Sequence, residues 1–224
     1  MTFNYWLPDE NGNKKIHSTN QNSIVIIGAN GSGKSKLGAW IERQDMKNVH
    51  RICAQRDINL EENIPLKNYR EAEDIVLFGT PNKAHQDSKF FRWGEDKYNT
   101  TKLLNDFNDV VAALISHANN DNNKFAQDCR NISDRNLWPK PPVTAVNKLI
   151  KIWDDIFPQR KLELSDSIFF AYPKNDHEQK YNARQMSDGE RTVLYLVSQV
   201  LCVPKNKYLI IGNFRKFDVG KRVQ

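Results

Sequence analysis

Between residues 23 and 45 the chain changes character twice, and this stretch restricts the possible folds more than any other. Residues 23–27 read Ser-Ile-Val-Ile-Ile, the β-branched composition of a strand buried on both faces at the centre of a sheet. Gly28-Ala29-Asn30-Gly31-Ser32-Gly33-Lys34-Ser35 follows with no gap. From Lys34 to Asp45, Leu37, Trp40 and Ile41 recur at helical spacing. The expected order is strand, glycine loop, helix, and the loop fits the pattern GxxxxGK(S/T) in the context that gives the pattern meaning.

That context points to a triphosphate. Glycines let the backbone curl so that successive N–H groups face phosphate oxygens, and the helix start behind them adds partial positive charge. Lys34 brings a full charge to the β and γ phosphates, and the Ser35 hydroxyl is placed to ligate Mg²⁺. The cofactors expected at Gly28, Ala29, Asn30, Gly31, Ser32, Gly33, Lys34 and Ser35 are therefore ATP and Mg²⁺. A glycine-rich turn that merely joins strand to helix is the plainer alternative, and the predicted strand and helix on either side weigh against it.

The rest of the chain reads as an α/β core with a helical interruption. Residues 3–7 and 15–18 flank a turn-rich Asp-Glu-Asn-Gly-Asn and predict a β-hairpin. Residues 50–55 predict a second strand, 69–77 a short helix, and 79–98 polar, irregular chain. Leu103, Phe107, Val110, Val111 and Leu114 mark one face of a helix that the Asn/Asp-rich residues 119–123 should break before a further helical stretch to Cys129. Trp138-Pro-Lys-Pro-Pro142 stops any helix, and Val146, Leu149, Ile150, Trp153 and Phe157 build the next, ended by Pro158. Paired strands are expected at 161–164 and 167–172, a long apolar helix at 188–203 and a core strand at 207–211. This predicts one domain over residues 1–224, with an α/β core of 1–83 and 159–224 and a helical insertion at 84–158.

Thirty-three basic residues against 27 acidic ones leave a charge of +6, which favours polyanions without naming one. Nucleic acid stays open beside nucleotide. Arg43, Lys47, Arg51 and Arg56 form a basic stretch that would suit nucleic acid, although a solvated helix face is the commoner reason for such a run. Cys53, Cys129 and Cys202 are far apart with no CxxC pair, which argues against a disulfide framework or zinc site and for a reducing cytoplasm. The N-terminus lacks the basic and apolar regions of a signal peptide, and no apolar run is long enough to span a bilayer, so a soluble protein without a membrane partner is expected.

A second motif, Met186-Ser187-Asp188-Gly189-Glu190-Arg191, precedes the apolar helix. Ser187 and Glu190 have the spacing of a capping box, and a helix start with glycine in its first turn also suits an anion. Ser-Asp-Gly-Glu-Arg, upstream of a strand and far downstream of the glycine loop, resembles the signature motif of ABC-type AAA ATPases in their SMC-like and OLD-like form. The wider run Met-Ser-Asp-Gly-Glu-Arg-Thr-Val-Leu-Tyr-Leu, with His-Arg-Ile-Cys-Ala-Gln-Arg-Asp at 50–57, is similar to the ATPases of bacterial anti-phage systems of the Septu and retron-associated kinds. The resemblance implies a P-loop fold with a central sheet and flanking helices. It also implies a homodimer that sandwiches two ATP molecules, with Ser187 and Gly189 reaching in trans to the γ phosphate held by the other subunit. A partner effector such as a nuclease is implied with it.

The resemblance stops at residue 211. The family ends the strand at 208–211 with an Asp-Glu pair that holds Mg²⁺ and orients water, followed by a switch histidine. This chain reads Ile211-Gly212-Asn213-Phe214 instead, and Asp218 comes too late to substitute. No catalytic residue is therefore assigned. Two readings follow: a longer ATPase truncated before this motif, or a module that holds ATP without cleaving it. Gln55 as a γ-phosphate sensor, Asn105 and Asp106 as a glutamine-loop equivalent, and Tyr5 and Trp6 as adenine stackers are weaker candidates, each with a plain structural alternative.

Overall fold

The computed structural model describes residues 2–53, 57–61, 64–94 and 102–212. In chain order its elements are β1 (Phe3–Pro8), β2 (Lys14–Thr19), α1 (Lys34–Gln44), β3 (Val49–Ile52), α2 (Tyr69–Phe78), α3 (Phe90–Trp93) and α4 (Phe107–Arg130). There follow α5 (Ala145–Ile156), β4 (Arg160–Ser165), β5 (Ile168–Pro173), β6 (Tyr181–Asn182), α6 (Asp188–Cys202) and β7 (Tyr208–Ile211), with short 3-10 turns between some of them. The chain is mixed α/β, as its alternating periodicities predict.

Local signals account for most of these boundaries. The expected hairpin forms, with Trp6 opposite Ile16, and the Asp9 carboxylate accepts the turn N–H groups of Asn11 and Asn13 at 2.9 and 2.7 Å. Asn68 caps α2 by accepting from Glu71 N–H, and Thr144 caps α5 in a reciprocal box with Asn147. β4 and β5 pair antiparallel through a two-residue turn in which Asp166 and Ser167 both have positive φ (51° and 65°), the geometry that matches strand twist.

The core is helical. α4 packs on α2 and α6, while α5 packs on α6 and β4, so residues 84–158 supply two helices to the same core as the segments around them. Phe107, Val110, Leu114, Leu149, Trp153, Phe169, Leu194 and Tyr195 are all buried there. The expected break at 119–123 does not occur, and α4 runs through it without interruption. Its first half, buried to Ala118, nucleates the helix, and exposed Asn and Asp cost only about 0.7 kcal/mol each against alanine, too little to stop propagation.

The central sheet is where expectation fails. Residues 23–27 pair with no strand among the described residues, and Ile24, Val25, Ile26 and Ile27 are 48, 80, 48 and 90% exposed. β1 pairs with β2, and β3 pairs in parallel with β7, Val49 opposite Tyr208 through Ile52 opposite Ile211, and neither pair takes residues 23–27 as a third strand. In place of one sheet the described residues form three small ones, β1-β2, β3-β7 and β4-β5-β6. α1 still packs on the β3-β7 pair, close enough that a Cβ on Gly38 would sit 3.4 Å from Ile210 on β7 and 3.6 Å from Arg51 on β3. The hairpin is tied to the same region, with Trp6 Nε1 donating to the Ile41 carbonyl at 3.3 Å and the Tyr208 hydroxyl donating to the Asn4 carbonyl at 3.0 Å. Among the described residues no helix is long and apolar enough to cross a membrane.

Candidate phosphate-binding site

The glycine loop takes its curl from local geometry. Gly31 and Gly33 sit at φ +81° and +86°, a left-handed conformation that side chains strain to reach. A Cβ on Gly28 would lie 2.6 Å from Ser32 Oγ, so a side chain there would oblige Ser32 to change rotamer. Ser32 N–H donates to the Ala29 carbonyl at 3.2 Å, closing the turn, and Leu37 N–H donates to the Gly33 carbonyl at 2.9 Å as the helix begins.

Gly33 is the N-cap of α1 and has no side chain with which to cap it, nor is there an acidic residue in the first turn. The first amides of α1 and the positive end of its dipole are thus left for an external anion. They border an open concavity of about 400 Å³ lined by residues 30–36. Lys34 Nζ folds back over the start of the loop and donates to the carbonyls of Gly28 and Ala29, each at 2.7 Å. The exposed Ser35 offers a hydroxyl in the same concavity. These groups fit a triphosphate. They also fit Mg²⁺ brought with it, a hard cation that takes one or two protein oxygens and fills its remaining positions with phosphate and water.

The second motif folds as a capping box. Ser187 Oγ accepts Glu190 N–H at 3.3 Å and donates to Glu190 Oε2 at 2.8 Å, while Ser187 N–H donates to the same carboxylate at 2.8 Å. Tyr181 adds a hydrogen bond from its hydroxyl to Glu190 Oε1 at 2.7 Å, and burial together with that carboxylate pushes the Tyr181 phenol up to about 12. Ser187 and Asp188 remain exposed at the head of α6, and Gly189 is half-buried. Neither Ser187 nor Gly189 lines the concavity at the glycine loop of its own chain.

A buried polar network that sequence reasoning missed runs behind the loop. Glu42, one helical turn beyond Gly38 and Ala39 on the same face of α1, accepts from Lys89 Nζ at 2.8 Å and Arg51 Nε at 2.9 Å, with all three side chains almost fully buried. Burial raises the Glu42 carboxyl, but the two cations outweigh it and hold it below its usual range. Burial pushes the Lys89 ammonium down to about 8 against the pull of Glu42. Beside it, Asp106 at the start of α4 receives Arg92 Nη1 (3.0 Å), the Tyr195 hydroxyl (2.7 Å) and Gln199 Nε2 (3.0 Å), and Gln199 Oε1 meets His50 Nε2 at 3.0 Å. Because Gln199 spends its amide nitrogen on Asp106 and Tyr195, its oxygen must accept, which makes His50 Nε2 the protonated nitrogen. Burial, reinforced by Arg92 and Lys89, keeps the His50 imidazole well below its ordinary range and neutral.

This network settles several weaker candidates. Asp106 is committed to Arg92, Tyr195 and Gln199. Of the basic stretch, Arg51 is buried against Glu42, while Lys47 is 71% exposed and pairs with Asp87 at 3.0 Å. Tyr5 stacks on His17, Trp6 meets Tyr208 edge-on and Lys14 lies over Trp6, which is the packing alternative to an adenine platform. Gln55, Arg56, Asn213 and Asp218 lie outside the described residues, while Gly212 N–H donates to the Ile52 carbonyl and ends the β3-β7 ladder. Compared with family models, curated proteins and solved structures, the chain matches none of them.

Proposed function

We propose that this chain binds ATP with Mg²⁺ at residues 28–35 and belongs to the ABC-type P-loop ATPases. The observation that carries the reading is the uncapped start of α1, wrapped by a loop whose Gly31 and Gly33 are both left-handed and whose Lys34 ammonium is folded over its entrance. Backbone N–H groups would take the β-phosphate oxygens, Lys34 would exchange its two carbonyl acceptors for phosphate, and Ser35 would ligate the metal. Ser187 and Gly189, exposed or half-buried at the head of α6 and absent from the cavity of their own chain, suit a contact made across a homodimer. ATP-gated pairing of two chains would then control an effector such as a nuclease in anti-phage defence.

Binding without turnover is the second reading, favoured by Gly212 and Asn213 standing where a carboxylate pair belongs. Titration calorimetry with ATP and Mg²⁺ tests the first claim. The wild-type chain should bind saturably and Lys34→Ala should lose about tenfold or more in affinity, about 1.4 kcal/mol, with its melting temperature unchanged. Equal heats from both proteins would refute a phosphate role for the loop. Sedimentation with and without nucleotide tests pairing, and Mg²⁺-dependent phosphate release abolished in Ser35→Ala would refute the silent reading.

A further inference from the structure

The connection between α4 and α5 carries a feature that neither the core nor the phosphate loop uses. It reads Leu137-Trp138-Pro139-Lys140-Pro141-Pro142-Val143-Thr144, in which Leu137 closes a 3-10 turn and residues 138–144 have no regular secondary structure. Each residue from 138 to 142 is confined by proline. Pro139, Pro141 and Pro142 fix their own φ near −65°, and Trp138, Lys140 and Pro141 each precede a proline, which pushes them out of the helical region. The two ends show the outcome. Trp138 is at φ −61°, ψ 139° and Thr144 at φ −69°, ψ 168°, both polyproline II values. Both ends are also anchored, Trp138 by its indole N–H to the Ile132 carbonyl at 3.1 Å and Thr144 by the capping box of α5.

A rigid connector alone does not call for large apolar side chains facing water. Leu137, Trp138 and Val143 are nonetheless 69, 43 and 68% exposed, close together in one short segment. With three residues per turn, the polyproline II twist places Trp138 and Pro141 along one ridge and Pro139 and Pro142 along the next. Lys140 falls on the third face, and Arg135, whose guanidinium lies 5.7 Å from the Trp138 ring, adds a second positive charge at the same end.

We propose that residues 137–144 are a docking arm for a proline-recognising domain, one whose groove is floored by aromatic rings and rimmed by acidic residues. The Pro139–Pro142 spacing supplies the PxxP ridge that such grooves take, and the ordering entropy is already spent by the prolines. The positive charges at Arg135 and Lys140 select for an acidic rim.

The test uses the whole chain against an immobilised panel of purified SH3, WW and EVH1 domains. At least one should bind saturably, and a synthetic peptide of residues 137–144 should compete. Pro139→Ala combined with Pro142→Ala, or Trp138→Ala alone, should cost about tenfold or more in affinity, and Lys140→Glu should weaken binding as well. Circular dichroism melting of the same variants shows whether the fold is kept, and the peptide competition stands apart from it. Failure of every domain in the panel to bind, or binding untouched by the double proline variant, would overturn the proposal.

Discussion

Replacing Glu42 with alanine removes the one carboxylate on which two buried cations converge. Lys89 has 1% of its side chain exposed and Arg51 6%, and Glu42 itself has 3%, so water cannot take over its role. Lys89 keeps the Val49 carbonyl at 2.6 Å, a neutral acceptor that does not cancel its charge. Stranding a buried ion by removing its partner costs about 3–5 kcal/mol, a large share of the roughly 5–15 kcal/mol by which domains are stable. At about 2–4 °C per kcal/mol for a chain of this length, Tm should fall by about 6–20 °C. Urea denaturation followed by tryptophan fluorescence, alongside calorimetry, measures both quantities. A triple variant, Glu42→Leu with Arg51→Met and Lys89→Met, removes the charges together and should recover most of the loss, because the cost lies in the imbalance. A Glu42→Ala variant within about 1 kcal/mol of wild type would mean that the cluster is hydrated, and the reasoning would fail.

Two further outcomes follow from the same side chains. His50 is neutral in the folded chain but takes a proton below about pH 6.5 when unfolded, so stability present above that pH should be lost as pH falls towards 5; urea midpoints against pH should slope more steeply for wild type than for His50→Gln. Ser187→Ala removes the acceptor for Glu190 N–H and should cost about 1 kcal/mol by urea denaturation, and a loss near zero would show that the α6 cap contributes nothing.

What the sequence made legible is what neighbouring residues decide among themselves. Ser187 with Glu190 marks the start of α6, Pro158 marks the end of α5, and the glycines of 28–33 dictate a curl, because each signal acts within a few residues. The Glu42–Lys89–Arg51 and His50–Gln199–Asp106–Arg92 contacts join residues up to 149 positions apart, and no local pattern encodes such meetings. Two hints were present: Glu42 falls one helical turn beyond Gly38 on the buried face of α1, and Gln199, with Ser198, interrupts an apolar run. The reading of residues 119–123 as a break failed from the opposite cause. There a local preference was real but was outweighed by burial on either side, at Ala118 and Cys129.

Residues 23–27 show how far composition can part from burial. A β-branched run is a statement about surroundings, a pleated surface packed on neighbours, and those neighbours must come from distant parts of the chain. The loop that follows needs no such help, since its bonds reach no further than from Gly28 to Leu37. The loop therefore forms while the run before it pairs with no strand among the described residues, with four aliphatic side chains 48–90% exposed. An exposed edge of this composition templates pairing with another chain, so the protein should self-associate through it. Val25→Lys with Ile27→Lys puts charge at the two most exposed positions and should raise the soluble, monodisperse fraction seen by light scattering and sedimentation. Because neither side chain is packed, Tm should not move. If the double variant instead lost stability on the scale of two buried aliphatic side chains, about 3–6 kcal/mol, these residues would be covered in solution, and self-association through them would be ruled out.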